Sequence, residues 1–205
     1  GGYGVFTVNA NGTWTYTTNN AQDQFVLGQI YTDTVTVTSA DGTTSTITVN
    51  ITGTNDAPVD GNETNTVTED TTLTVVATDA GGLLRNTTDV DGSTPSITGY
   101  TVPGLTGTQA VGSAVTIPNV GSLTINADGS YSFTPVANYT GAIPVVTYTV
   151  SDGNGGTDTS TLTLTMVPVN DVFTDGNETV HTNEDTAVSG NVIDLNITSG
   201  DGPIT

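Results

Sequence analysis

The sequence repeats itself at a constant offset of 115 residues, and this offset constrains the fold more than any other feature. The pentapeptide DGNET stands at 60–64 and again at 175–179. Residues on both sides of it recur at the same offset without a gap. The matched positions are Asn55-Asp56 with Asn170-Asp171, Glu69-Asp70 with Glu184-Asp185, and Asp79 with Asp194. Such a repeat predicts successive copies of one folding unit.

Longer matches place the boundaries of these units. The segment NANGTWTYT at 9–17 matches NADGSYSFT at 126–134, and the segments that follow match as well. Residues 1–55 are therefore predicted to be the C-terminal part of an Ig-like β-sandwich repeat, 56–170 a complete repeat, and 171–205 the N-terminal part of a further one. Because the first residues read as the middle of a strand, we expect the sequence to be an excised fragment.

The composition and the local pattern predict an all-β protein. The chain has 46 Thr and 25 Gly, few helix-favouring residues, and no ten-residue window with helical spacing of apolar side chains. Short runs of alternating apolar and polar residues lie between turn residues, as in half-buried strands. In the complete repeat these runs are 64–68, 72–78, 96–102, 122–126, 130–134, 145–150 and 159–167. About seven strands at this spacing predict an Ig-like sandwich.

Apolar and aromatic residues in these runs are predicted to form the core. In the last run, Leu162, Leu164 and Met166 share one face, and threonines occupy the other. The two matching hairpins carry alternating aromatic residues, Trp14 and Tyr16 in one and Tyr131 and Phe133 in the other, and all four are expected to pack inside.

The charge of the chain restricts its partners. The formal net charge is −20, and Arg85 is the only Lys or Arg residue. Nucleic acids and anionic membranes are bound through clustered Lys and Arg, so neither is an expected partner. No apolar run approaches the roughly 20 residues of a membrane span, so no membrane insertion is expected in this segment. Because like charges oppose compaction, bound cations are the expected partners of these acids.

The acids that lie outside tight turns fall into groups in the predicted sandwich. Pairs such as Asp41-Gly42 and Asp128-Gly129 sit between alternating runs and are assigned to hairpin turns. If the first strand descends from Pro58, the strand order brings the other acids to the two ends of the module, beside the linkers. The predicted metal ligands are Asn55, Asp56, Glu69, Asp70, Asp79, Asp89, Asp91, Asp152, Asn170, Asp171, Glu184 and Asp194.

Calcium is the ion that suits such groups. It takes six to eight oxygen ligands from carboxylates, amides and carbonyls, whereas zinc prefers His and Cys, and the chain has one His and no Cys. Each acid alone is better explained as a solvated loop residue that keeps the protein soluble. Their recurrence as groups at corresponding positions favours ligation of Ca²⁺.

Several motifs together resemble the tandem cadherin-like and VCBS-type repeats of very large bacterial RTX adhesins. They are the TNDAP linker, the turns VTEDT and TNEDT, the loops DVDG and SDGNGG, and the NANGTWTYT hairpin. The resemblance covers essentially the whole chain and implies cadherin-like, Greek-key β-sandwich modules in tandem. It further implies an extracellular rod at the bacterial cell surface, exported by type I secretion, in which calcium stiffens the joints.

The resemblance also implies roles for individual residues. The matches to the cadherin pattern are Glu69 and Glu184 for the first-strand glutamate, Asn55-Asp56 and Asn170-Asp171 for the linker, Asp89 and Asp91 for the paired-aspartate loop, and Asp152 for the last hairpin. Two positions depart from the pattern, since Gly53 replaces a linker acid and ANYTG at 137–141 lacks the acidic loop motif. With fewer ligands, one ion per joint is expected instead of three.

These observations predict a structural extender that holds a ligand-binding region away from the cell for adhesion or biofilm formation. Its partners are neighbouring repeats of the same chain, and the incomplete end modules predict head-to-tail self-association by strand addition. The alternative is a sugar- or ice-binding module that uses acidic calcium loops or threonine ladders such as Thr34, Thr36 and Thr38, although threonine is common on strands. Catalysis is not expected, because every acid group has a turn or linker explanation and His181 has no recognised nucleophile beside it.

Overall fold

All regular elements in the described part of the protein are β-strands. The computed structural model describes residues 2–171, 177 and 179–190, and no helix occurs within them. The strands are β1 (Gly4–Val8), β2 (Trp14–Thr18), β3 (Ile30–Thr38), β4 (Thr44–Thr52), β5 (Glu63–Thr68), β6 (Leu73–Val75), β7 (Ser96–Thr101), β8 (Val115–Ile117), β9 (Gly121–Ile125), β10 (Tyr131–Pro135), β11 (Val146–Ser151) and β12 (Thr157–Val167). The all-β prediction is confirmed.

The strands from β5 to β12 form a two-layer sandwich, which we call the central module. One sheet has the order β5-β12-β11-β7 and the other β6-β10-β9-β8. β5 runs parallel to β12, with Glu63 opposite Leu162 and Val67 opposite Met166. The remaining strand pairs of this module are antiparallel. The predicted Ig-like sandwich is therefore present, and its first strand is held by its last.

The core lies between the two sheets and follows the predicted alternation. Leu162 is fully buried, Leu164 is nearly so, and Met166 packs partly buried against the core. Tyr131 and Phe133 enter from the opposite sheet, as predicted. Further core residues come from both layers and include Val67, Val75, Ile97, Tyr100, Leu123, Ile125, Val146, Tyr148 and Val150. A slip of one residue would turn each strand's apolar side chains to solvent, so this burial fixes the register.

Two details of the sandwich differ from the prediction. The run 72–78 gives only the short strand β6, because the carboxylate of Asp79 accepts the amide of Val76 at 3.1 Å and the chain turns there. The strand β8 was not predicted, and it pairs with β9 at the edge of its sheet. It has three residues, too few for an alternating pattern to stand out.

The segment before the linker forms two hairpins, β1–β2 and β3–β4, which we call the hairpin unit. Tyr3 contacts both Phe25 and Tyr31, whose rings stack at 3.8 Å. Trp14 is 46% exposed, so the prediction that it packs inside is wrong. At the matching position, Tyr131 is covered by a four-stranded sheet, whereas in the part of the chain that the structure describes β1–β2 is accompanied by the two-stranded sheet β3–β4.

Candidate metal centres at the two ends of the central module

The central module has an upstream end, where the linker around Asp56 arrives, and a downstream end, where the chain leaves through Asp171. At the upstream end the Asn55 side-chain amide donates to Asp152 Oδ2 at 2.6 Å. This hydrogen bond is the main reason why the pKa of Asp152 lies below its ordinary value. Asp152 Oδ1 also accepts the backbone amide of Gly156 at 3.0 Å. The linker is thereby fixed to the β11–β12 loop.

Asp91, in the loop between β6 and β7, connects the central module to the hairpin unit. Its Oδ1 accepts the amide of Leu27 at 2.5 Å, and its Oδ2 accepts the amide of Asp56 at 2.7 Å. Asp89 Oδ1 in turn accepts the amide of Asp91 at 2.8 Å. The carboxylate of Asp91, a residue of the central module, thus contacts both the hairpin unit and the linker.

Negative charge accumulates at this joint. Burial raises the pKa of the Asp56 carboxyl, and the charges of Asp91, Asp23 and Asp89 raise it further, in that order. Asp23 belongs to the hairpin unit, so acids from both sides of the linker repel one another. A cation between them would relieve this repulsion.

Two oxygens at the upstream end are buried without a hydrogen-bond partner among the described residues, Asn55 Oδ1 and Asp89 Oδ2. Leaving such an atom unsatisfied costs about 1–3 kcal/mol. Carboxylates and an amide oxygen are the ligands that calcium prefers. The residues present at this end therefore fit a calcium ion.

Three carboxylates converge at the downstream end. Glu69, Asp70 and Asp171 each offer one oxygen, and these oxygens lie within 4.8 Å of one another. Glu69 is 1% exposed, and its Oε2 accepts the amide of Val169 at 2.9 Å. Glu69 Oε1 is buried with no hydrogen-bond partner in the described part of the chain. Like charges this close are unfavourable without a cation, so these residues also fit a hard divalent ion.

The turn that carries Asp70 has the same backbone shape in both repeats. Asp70 has a φ of 57°, in the left-handed region, and Asp185 at the matching position has a φ of 62°. Aspartate tolerates this region better than most residues with a side chain. In the first repeat Asp70 Oδ1 accepts the amide of Asn138 at 2.8 Å, so the turn is also held from the facing loop.

The two departures from the cadherin pattern have structural explanations. A Cβ added to Gly53 would lie 2.1 Å from the carbonyl oxygen of Val26, so no acidic side chain fits at this linker position. The ANYTG loop supplies the Asn138 amide to Asp70. It therefore contributes a hydrogen-bond donor where the pattern has a further acid.

Not every predicted ligand joins these groups. Asp79 is exposed and its carboxylate caps its own turn. Asn170 is exposed and donates its side-chain amide to the carbonyl of Asp171. Glu184 is exposed as well, and Asp194 lies outside the described residues. The residues that the structure brings together are Asn55, Asp56, Asp89, Asp91 and Asp152 upstream, and Glu69, Asp70 and Asp171 downstream. Their role as ligands stays a prediction.

Sequence reasoning missed four acids as functional candidates: Asp23, Asp33, Asp60 and Glu63. Asp23 lies in an irregular loop outside any recognised motif. Asp33 and Glu63 are 4% and 5% exposed, although acids on strands normally face solvent. The repetition of DGNET was the available signal for Asp60 and Glu63, since this motif is not needed to form a turn.

Comparisons with known structures give distant likenesses. A nucleoside hydrolase-related hypothetical protein from Saccharophagus degradans, associated with carbohydrate metabolism, is 13% identical over 56% of this chain and 26% of its own, with a TM-score of 0.36. An endo-fucoidan hydrolase of glycoside hydrolase family 107 is 16% identical over 82% of this chain and 22% of its own, with a TM-score of 0.34. The chain thus spans about a quarter of these proteins, and likenesses this weak carry no argument about function.

Three further findings concern the relatives of the chain and its relation to membranes. No curated protein matches the chain. Within the described residues, no helix has the length and apolar character needed to cross a membrane. The family model described as bacterial cadherin-like domain matches residues 55–168. This match spans the strands of the central module and every residue of the two candidate metal centres except Asp171. The chain accordingly belongs to the bacterial cadherin-like domain family.

Proposed function

We propose that the chain is a structural extender of a bacterial surface adhesin, in which calcium at the joints holds consecutive β-sandwiches in a fixed orientation. It would lie outside the cell, after type I secretion of an RTX-type protein, and would project a ligand-binding region for adhesion or biofilm formation. One observation carries this proposal. The linker acids Asp56 and Asp171 each meet acids of the same sandwich, one at either end.

The residues that would hold calcium differ between the two ends. Upstream they are Asn55, Asp56, Asp89 and Asp91, and downstream they are Glu69, Asp70 and Asp171. Bound calcium would neutralise the carboxylates and fix the angle between neighbouring units. Extracellular modules bind it at about 10⁻⁴–10⁻³ M. Calcium at 100 times the Kd would stabilise the folded joint by about 2.7 kcal/mol.

Small-angle X-ray scattering of the chain, with calcium and then with a chelator, tests this proposal. We expect the maximum dimension to be larger and better defined with calcium, because the hairpin unit and the central module are then held in one orientation. We also expect Tm to rise by roughly 10 °C, the shift that about 2.7 kcal/mol produces in a domain of this size. Equal dimensions and equal Tm in both conditions would exclude calcium as the stiffening agent.

A pair of matched variants identifies the joint as the responsible site. Asp91→Asn removes the charge that contacts both the linker and the hairpin unit, and it should abolish most of the calcium-dependent change in dimension. Asp128→Asn makes the same chemical change in a hairpin turn, where the matching hairpin already has Asn11. This control should respond to calcium like the wild type. If both variants changed dimension with calcium to the same extent, the calcium-dependent change would not arise at the upstream joint.

A ligand-binding function is the second candidate, because the threonines of β3 pair with threonines across the hairpin. Thr34, Thr36 and Thr38 stand opposite Thr48, Thr46 and Thr44, and all six are exposed. Such a ladder offers regularly spaced hydroxyl and methyl groups to a sugar or to ice. Thermal hysteresis or a glycan-array signal would support this function, and the absence of both would remove it. The family match itself favours a non-catalytic module.

A further inference from the structure

The repeated DGNET motif places two acids, Asp60 and Glu63, at the start of the first strand of the central module. Glu63 is the first residue of β5 and is 5% exposed. Its Oε2 accepts the hydroxyl of Tyr148, a fully buried residue of β11. Asp60 lies just before β5, where its Oδ1 accepts the hydroxyl of Thr87 at 2.6 Å and its backbone amide donates to Asp158 at 2.8 Å.

The site has more buried oxygen acceptors than protons to satisfy them. Tyr148 has one hydroxyl proton, and besides Glu63 it faces the carbonyl oxygens of Gly61 and Leu83, both at 3.3 Å. Glu63 Oε1 and Asp60 Oδ2 are both buried without a hydrogen-bond partner among the described residues. Buried polar atoms are normally paired, so two unpaired carboxylate oxygens near two carbonyl oxygens indicate a missing positive partner.

The electrostatics of the site point the same way. Burial raises the pKa of the Glu63 carboxyl to about 7, although the hydrogen bond from Tyr148 lowers it, and the charge of Asp60 adds to the rise. Burial and hydrogen bonding with Glu63 and then Asp60 raise the pKa of the Tyr148 hydroxyl as well. Burial and the charge of Asp60 therefore both disfavour the ionised form of the Glu63 carboxyl.

We propose that Asp60 and Glu63 form an intramodular site for a hard divalent cation such as Ca²⁺, with Glu63 Oε1 and Asp60 Oδ2 as carboxylate ligands and the carbonyls of Gly61 and Leu83 as neutral ones. The site connects β5, β11 and the loop after β6, three parts of the sandwich that are distant in sequence. None of its proposed ligands belongs to the acid groups assigned to the two ends.

Counting bound ions tests the proposal with calcium chloride alone as the probe. The chain is freed of metal, titrated with Ca²⁺ in a calorimeter, and weighed by native mass spectrometry. Glu63→Gln keeps the shape of the side chain and its contact with Tyr148, and it should bind one ion fewer than the wild type. Asp60→Asn should give the same loss, whereas Asp128→Asn in the hairpin turn should bind as many ions as the wild type.

Terbium luminescence locates the ion independently. Tb³⁺ replaces Ca²⁺ at oxygen sites and emits when a nearby tyrosine absorbs light, so Tyr148 should sensitise an ion held by Glu63. Tyr148→Phe should lose this share of the emission and bind as many ions as the wild type. Asp91→Asn, at the upstream joint, should keep the emission that Tyr148 sensitises. Asp91→Asn therefore tests the upstream joint and Glu63→Gln tests the intramodular site. A negative result at one site leaves the assignment of the other unchanged.

Two outcomes would overturn the proposal. The first is a Glu63→Gln variant, folded by circular dichroism, that binds as many ions as the wild type. The second is a wild type whose tyrosine-sensitised emission is unchanged by both Glu63→Gln and Asp60→Asn. Either result would mean that Asp60 and Glu63 do not bind a metal ion in this module.

Discussion

Asp33 is the residue whose burial in the hairpin unit has the clearest consequence. Its carboxylate accepts the amides of Gly2, Tyr3 and Gly4 at 2.6–3.0 Å and the hydroxyl of Tyr16 at 2.7 Å. Burial raises the pKa of this carboxyl, but the four hydrogen bonds outweigh it and lower the pKa from 3.8 to about 2. The start of the chain is thus attached to β3 through one ionised side chain.

This geometry predicts acid unfolding of the hairpin unit between about pH 4 and pH 2. A carboxyl whose pKa is depressed in the folded state contributes stability above its unfolded pKa and loses it as the pH falls through the folded value. Trp14, the only tryptophan of the chain, belongs to this unit, so its fluorescence reports the transition. Asp33→Asn should reduce the pH dependence in this window and weaken the unit at pH 7, and the part that remains is expected from Asp41, whose pKa is also lowered to about 2 by hydrogen bonds from Ser39 and Thr43. Asp128→Asn should leave the Trp14 signal unchanged, and an unchanged transition in Asp33→Asn would contradict the assignment.

At the scale of elements, alternation of apolar residues was enough to predict most strands. Leu162 and Leu164 recur with period two, so β12 follows from the sequence. The pattern also predicted that linker acids lie beside module acids at each end, because strand order alone brings Glu69 close to Asp171. The side-chain contacts within these groups could not be predicted, since they depend on loop conformations that have no periodic signal.

The errors also have physical causes. Trp14 is predicted to lie in a core because its hairpin matches that of Tyr131. The match between the hairpins gives no information on the size of the sheet that covers each of them, and Trp14 is exposed. Glu63 is missed because the predicted run begins at residue 64, whereas β5 begins at Glu63, which is buried like Val67. Alternation identifies a strand, but it does not say which polar residue is buried with a partner.

The β11–β12 loop depends on a glycine for its contact with the linker. A Cβ added to Gly156 would lie 2.4 Å from Asp152 Oδ2 and 2.7 Å from the Cα of Ala57. Gly156→Ala should therefore separate the loop from the linker, break the Asn55–Asp152 hydrogen bond, and cost about 1–3 kcal/mol. Calorimetry should show Tm lower by roughly 5–15 °C, together with a smaller stabilisation by calcium.

The control for this variant is Gly61→Ala. An added Cβ there meets nothing within 4 Å, and no positive φ opposes it. Its Tm should stay close to that of the wild type. If both alanine variants had the same Tm, the close approach of the loop to the linker would not contribute to stability.

At the scale of the whole molecule, strand pairing within the central module and side-chain contacts at the linker hold the two units together. The parallel pairing of β5 with β12 closes the central module, and the linker contacts of Asp91 attach it to the hairpin unit. Because the chain has 21 Asp and Glu residues and one Lys or Arg, its own side chains supply almost no positive charge. Stiffness along the chain should therefore depend on the cations in the medium.

The hairpin unit leads to the last prediction, which is head-to-tail association. In the central module β12 pairs with both β11 and β5, whereas among the described residues the corresponding strand β4 pairs with β3 alone. Apolar side chains of the hairpin unit are also exposed, including Val5 at 58%, Ile30 at 65% and Trp14 at 46%. Residues 171–205 repeat the sequence that supplies β5 and β6, so we propose that this segment of one chain adds strands to the hairpin unit of another.

Sedimentation and fluorescence measure this association together. The weight-average sedimentation coefficient should rise with protein concentration, because a head-to-tail contact does not close on itself. The emission of Trp14 should shift to shorter wavelength over the same range, since Tyr131 at the matching position is buried by the facing sheet. Trp14→Asp should weaken the association by placing a charge in the new core, whereas Val59→Asp, at an exposed site on the linker side, should associate like the wild type. A monomer with constant Trp14 emission at all concentrations would show that the hairpin unit does not accept a strand from a second copy.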